Sequence, residues 1–274
     1  MASLTKVFIT LSALFTACSG VEQAEQEKIK RQNAHGEIIS RRQEERLYQI
    51  HPPQLRVQEK YPWEKKITGR HARITKEFFR CKGSSLNPMR LGDETITDCR
   101  GREEHSLPIK ENSEFIYPIL LDLLNYIQAE TGKKVVITCG HRCPTHNRYA
   151  DESTQNRTSK HMIGAEVDFY VQGMEDKPQE VIELLIRYYL ENPFYSQKKE
   201  YTTFQRFEDF DTGVSTPPWF NKEVLFKLVR KTEGRDFDNR HPYPYVTIQV
   251  RYDRLREERV NYSWPKAYKG YLRY

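Results

Sequence analysis

The sequence predicts an α+β fold, with helices packed on a small, mainly antiparallel sheet. Three observations predict it. One long stretch repeats its apolar residues at helical spacing. Several short runs alternate or are continuously apolar, as strands do. These segments follow one another irregularly, without the regular βαβ order of a parallel sheet.

The first element is "SEFIYPILLDLLNYIQAETG", residues 113–132. Apolar residues at 116, 119, 120, 123, 124 and 127 make one face, Ser113 is placed to cap it, and Gly132 ends it. "KVVIT" (134–138) follows as a short buried strand and "AEVDFYV" (165–171) as a second. "PQEVIELLIRYYLEN" (178–192) reads as a helix opened by Pro178. "NKEVLFKLVRKTEG" (221–234) reads as a third helix, closed by Gly234. "YVTIQVRYD" and "ERVNYSW" alternate around "RLRE" and read as a hairpin. Residues 81–112 read as polar loop.

The chain has 274 residues, 37% hydrophobic and 30% charged, with 13 Phe and 17 Tyr as core material. The net charge of +6 is spread over both signs, so no nucleic-acid-binding stripe is read. An anionic partner such as a cell wall or membrane surface is compatible with it.

The N-terminus carries Lys6 and then an apolar run from Val7 to Ala17, shorter than the roughly 20 residues of a membrane-spanning helix. Residues 1–17 therefore read as a secretory signal. Its end, "LFTAC", resembles a bacterial lipobox with Phe15 where Leu is usual, which makes Cys18 the lipidated first residue of the mature protein. An ordinary cleaved signal followed by an unrelated cysteine is the alternative. Residues 18–70 are rich in Glu, Gln, Lys and Arg and read as a charged tether with partial helix. Residues 71–274 form the folded domain. The expected location is the bacterial periplasm, with the protein anchored to a membrane as a lipoprotein.

Export puts Cys81, Cys99, Cys139 and Cys143 in an oxidising compartment, where disulfides are the default and three connectivities exist. Pairing of Cys81 with Cys99 and of Cys139 with Cys143 is favoured. A four-cysteine zinc site is the rival, although the spacings lack paired C-x2-C knuckles.

His161 and Asp168 stand seven apart, with Gly164 between them to allow a tight turn. Zinc accepts imidazole and carboxylate together. A buried His–Asp pair with a purely structural role has the same sequence form.

"VVITCGHRCPTHN" followed by "SKHMIGAEVDF" resembles the zinc D-alanyl-D-alanine peptidases of the LAS group. Those enzymes carry a segment like S-G-Y-R-S-x-x-x-N, then S-x-H-x-x-G-x-A-x-D. Gly140, Arg142 and Asn147 match the first; Ser159, His161, Gly164 and Asp168 match the second. The resemblance covers roughly 110–252. It implies a metal-type cleft with His161 and Asp168 as zinc ligands, Arg142 holding a substrate carboxylate or carbonyl, and Ser159 hydrogen-bonding nearby. The implied substrates are peptidoglycan stem peptides. The family's third ligand is a later histidine with an acid two residues on; Thr247 and Gln249 stand there instead. His241 is one candidate for the missing ligand. Glu166, on the strand face of Asp168, is a candidate base or ligand, or the partner of Arg142 or Arg251 in a salt bridge. His141 is a candidate metal or substrate contact, His146 orders its loop, and His105 reads as a surface residue. A peptidase, a peptide-binding module without catalysis and a structural envelope protein all fit this pattern.

Overall fold

The structure, a computed structural model, describes residues 71–83, 89–91, 94–101, 105–150, 159–207, 213–233 and 236–262, with 267 and 270. The signal segment, Cys18 and the tether to residue 70 lie outside the described residues. Among the described residues no helix is long and apolar enough to cross a membrane.

Among the described residues, four helices pack with a six-stranded antiparallel sheet, as the α+β expectation requires. Two hairpins open the described domain, β1 (Met89–Leu91) with β2 (Glu94–Ile96) and β3 (Ile109–Lys110) with β4 (Ser113–Glu114). Then come α1 (Pro118–Thr131), β5 (Val135–Cys139), α2 (Pro144–Ala150), β6 (Glu166–Val171) and α3 (Pro178–Glu191). The rest is α4 (Lys199–Thr202), β7 (Gln205–Arg206), β8 (Trp219–Phe220), β9 (Val224–Val229), β10 (Tyr245–Val250) and the hairpin β11 (Tyr252–Asp253) and β12 (Glu258–Arg259). The sheet order is β5-β6-β10-β9-β8-β7.

The first helix begins later than its apolar spacing suggests. Ser113 belongs to β4, and α1 starts at Pro118. Proline fits the first helical position but pushes the residue before it out of helical conformation, and Tyr117 is extended at ψ 122°. Gly132 ends the helix in the left-handed conformation, as expected.

Residues 221–234 contain the main departure. They supply strand β9, not a helix. Val224, Leu225, Phe226, Leu228 and Val229 are buried because β9 lies inside the sheet, between β8 and β10. A run that is apolar on both faces has no strand alternation, so its period does not separate helix from strand. Asn221 starts it by accepting the backbone N–H groups of Glu223 and Val224 at 2.8 and 2.9 Å. The final hairpin is also shorter than expected. Tyr245–Val250 pairs along the main sheet, and only β11 and β12 form the hairpin.

The two faces of β6 and β10 differ in chemistry. Val167, Phe169, Val171, Val246, Ile248 and Val250 join Leu120, Leu123, Leu124, Val181, Ile182 and Leu185 of α1 and α3 in one core. Burying each such side chain contributes about 1.5–3 kcal/mol. The alternate positions, Glu166, Asp168, Thr247 and Gln249, share the opposite face. They pair across the strands, Thr247 with Asp168 and Gln249 with Glu166.

Candidate metal centre

His161 sits on a single turn of 3-10 helix, Lys160–Ile163. Ser159 caps that turn, accepting the His161 N–H at 3.2 Å, so it organises the histidine's backbone. Gly164 closes the turn at φ 71°, and the chain enters β6 two residues later. A Cβ at Gly164 would meet the Phe115 carbonyl oxygen at 2.9 Å, so this tight return needs glycine.

The imidazole is oriented at both nitrogens. Nδ1 donates to the Gly140 carbonyl at 2.7 Å. Nε2 faces Asp168 Oδ2 at 3.5 Å and Glu166 Oε2 at 3.8 Å. Asp168 is fixed in turn, accepting Thr247 Oγ1 on Oδ1 and Asn239 Nδ2 on Oδ2, each at 2.7 Å. Glu166 Oε1 accepts Gln249 Nε2 at 2.7 Å, and Lys160 Nζ donates to Gln249 Oε1 at 2.6 Å. Burial opposes charge on His161, but Glu166 and Asp168 outweigh it and raise its pKa. Burial likewise opposes charge on Asp168, and His161 outweighs it, holding the carboxyl below its ordinary range.

Cys139 stands opposite Asp168 on β5, with its sulfur 3.4 Å from His161 Nδ1. One ligand atom each from Cys139, His161 and Asp168 lies within 4.8 Å of the others. The sulfur approaches the nitrogen that Gly140 already engages, so the carboxylate side of the ring is the better ligand edge. The donors there fit zinc: one imidazole and two carboxylates, each with a hydrogen-bonded outer partner.

Arg142 is 4% exposed, and its fork is directed inward. It donates to Asp236 and, through Nε at 2.7 Å, to Asp238. The expected substrate-holding arginine is therefore already bidentate to the protein's own acids. Its attraction, with that of His146, outweighs burial and holds Asp238 well below the ordinary carboxylate range. His146 spans Asp98 Oδ1 at 2.6 Å and Asp238 Oδ1 at 2.8 Å. Burial pulls its pKa down, yet these carboxylates push it up to about 12. It orders its loop, as expected.

His241 is not brought to the His161–Asp168 pair. Its ring packs 5.1 Å from Tyr170 and 5.7 Å from Tyr245, in an aromatic cluster one step along β6. Glu166 takes Gln249 and His161 as neighbours, in place of Arg142 or Arg251. His141 is buried, and burial pulls its pKa well below the usual histidine range. His105 is also buried, where a surface residue was expected.

The cysteine pairing needs correction. All four described cysteines are free thiols. Cys139 faces His161, and Cys143 gathers with Cys81 and Cys99, so the expected 139–143 pair is not formed. Cys81 and Cys99 are brought together, but their sulfurs are 3.5 Å apart, beyond the ~2.05 Å of a disulfide. Sequence reasoning missed Asp236, Asp238 and Asn239. The cluster "DFDN" (236–239), rich in acids and amides before a strand, was the available signal.

The turn before β6 thus holds a buried imidazole facing two carboxylates of the strand, a donor set of the kind that metal sites use. Residues 94–196 match the family model described as Peptidase M15, in agreement with the zinc D-alanyl-D-alanine peptidase resemblance. The match contains Arg142, His161, Glu166 and Asp168 and ends before Thr247 and Gln249. This similarity supports a peptidase-like function. No curated protein and no solved structure matches the chain.

Proposed function

We propose that this chain is an exported, membrane-anchored metallopeptidase-type protein acting on peptidoglycan stem peptides, with zinc held by His161, Asp168 and Glu166. The observation that carries the reading is the imidazole pinned at Nδ1 by Gly140, with Nε2 between two carboxylates. Zinc held there would supply Lewis-acid polarisation of a peptide carbonyl. The protein's own contribution is orientation: Thr247 and Asn239 fix Asp168, and Gln249 fixes Glu166. The signal segment and Cys18 support the anchored location. Acyl groups on Cys18, found by mass spectrometry of the membrane fraction, would agree with it, and a soluble form starting elsewhere would refute it.

A second reading is favoured by one observation. Thr247 and Gln249, at the places of the family's third ligand and acid, are both tied into hydrogen bonds. Glutamine cannot act as a general base. On this reading the domain grips stem peptides without cleaving them. Metal analysis of the purified protein beside His161→Ala, together with mass spectrometry of a stem pentapeptide after incubation, separates the two. Zinc that depends on His161, with release of a terminal residue, supports the peptidase. Peptide binding without metal or release supports the binding module.

A further inference from the structure

Cys81, Cys99 and Cys143 converge with His105 away from the His161 centre. Each offers one ligand atom, and these atoms all lie within 4.8 Å of one another. Cys81, Cys143 and His105 are 1%, 0% and 2% exposed, and Cys99 is half-buried. Three cysteines cannot all be joined in disulfides, since any pair would leave a third thiol beside it. With one imidazole they are the donor set of a Cys3His structural zinc.

We infer that these four residues bind a structural zinc ion, separate from the His161 centre. Zn–S bonds of about 2.3 Å in a tetrahedron put two sulfurs about 3.8 Å apart. The Cys81 and Cys99 sulfurs, at 3.5 Å, are near that spacing and far from a disulfide. The local sequences repeat as well: "CKG" at 81–83 and "CRG" at 99–101. Each glycine has positive φ, +65° at Gly83 and +100° at Gly101, a backbone region that favours glycine. The two segments lie against each other, because a Cβ at Gly101 would meet the Lys82 carbonyl oxygen at 2.8 Å. Cys143 enters from the loop before α2, and its sulfur accepts the His146 N–H at 3.3 Å. One ring nitrogen of His105 lies within 4.8 Å of the sulfurs of Cys143 and Cys99. A second possible grouping, Asp98 and His146 with Cys99, is weaker, because both His146 nitrogens are engaged by Asp98 and Asp238.

Such an ion would join three chain segments that bond directly only in part. The Phe79 carbonyl already accepts the His141 N–H at 2.6 Å. Cys81 and Cys143 stand two residues beyond that contact on each strand of chain, so the ion closes the clamp. Gly140, whose carbonyl orients His161, lies within it. The inference does not rest on the proposed peptidase reading.

The test is Co2+ substitution of the purified full-length protein, with thiol mapping and zinc analysis. Wild type should show thiolate-to-Co2+ charge transfer with the intensity of a tetrahedral site. Cys139→Ser and His161→Ala should keep that band. Cys99→Ser and His105→Ala should each lose one equivalent of zinc. Should these variants misfold, the wild-type spectrum still decides. Alkylation under denaturing, non-reducing conditions should find Cys81, Cys99 and Cys143 as thiols once chelator is added. A disulfide between any two of them, no thiolate band in folded wild type, or a band that vanishes with Cys139→Ser would overturn the inference. Failure of the His161 centre alone would instead leave the band and remove only His161-dependent zinc.

Discussion

Thr247 lies directly across the sheet from Asp168 and gives its hydroxyl to Asp168 Oδ1 at 2.7 Å. The pairing puts this face of β10 against the imidazole–carboxylate centre. Thr247 is the position where the resemblance leads one to expect the third histidine. A hydrogen bond to the carboxylate stands where a third imidazole would stand, and the same strand face carries Gln249 against Glu166.

Thr247→His with Gln249→Asp should therefore raise zinc affinity at the centre by at least about 10-fold, the scale of a well-placed ligand or outer partner. Directly opposed residues have Cβ atoms about 4.5–5.5 Å apart, within reach of an imidazole. Competition against a chromophoric chelator measures the change. Unchanged affinity in a folded variant would mean that the cross-strand position does not reach the metal.

Glu166 and Gln249 form the next dependence. Glu166→Gln should weaken zinc binding at the His161 centre more than Gln249→Ala does. On the proposed reading the first removes a charged ligand and the second only its hydrogen-bonded partner, a change worth about 10- to 100-fold. Isothermal titration of both variants ranks the two losses. The reverse order would remove Glu166 from the ligand set.

What was legible in the sequence follows from the range of each interaction. Helices 118–131 and 178–191 show because their apolar periodicity and opening prolines are local. The His161–Asp168 pair shows because Gly164 closes a short turn. Strand β9 does not, because burial on both faces erased its alternation. The partners of Arg142 do not either: Asp238 and Asp236 are 96 and 94 residues away, and the packing of the Phe237–Asn239 turn against β5 and α2 brings them to its fork. The cysteines show the same limit. Cys139 and Cys143 are near in sequence, but the chain turns between them, sending one sulfur to His161 and the other to Cys81 and Cys99.

Arg142→Met should destabilise the fold by up to about 3–5 kcal/mol, because it leaves half-buried Asp236 without its cation and Asp238 with His146 alone. Adding Asp236→Asn should recover part of the loss by removing one uncompensated charge. Urea unfolding of the single and double variants measures both. A loss below about 1 kcal/mol for the single variant would show that the guanidinium is exposed to solvent and available to a ligand.

Glu223 should make stability fall with rising pH across the acidic to neutral range. Its side chain is fully buried and accepts Tyr189 OH at 2.9 Å. Burial pushes its pKa from 4.5 up to about 7, against the pull of Arg254. Between those values the native state holds a proton that the unfolded chain has released. The contribution to stability is therefore full below about 4.5 and is lost as pH rises to about 7. The loss is on the order of 3 kcal/mol at most, from the size of the shift. Glu223→Gln keeps an acceptor for Tyr189 and carries no charge at any pH. Its stability relative to wild type should thus improve steadily from pH 4.5 to 7 and level off above. Thermal unfolding of both proteins across that range isolates Glu223, since every other titrating group is common to the pair. A difference that stays constant with pH would mean that Glu223 is ionised in the native state throughout, with Arg254 fully compensating its burial.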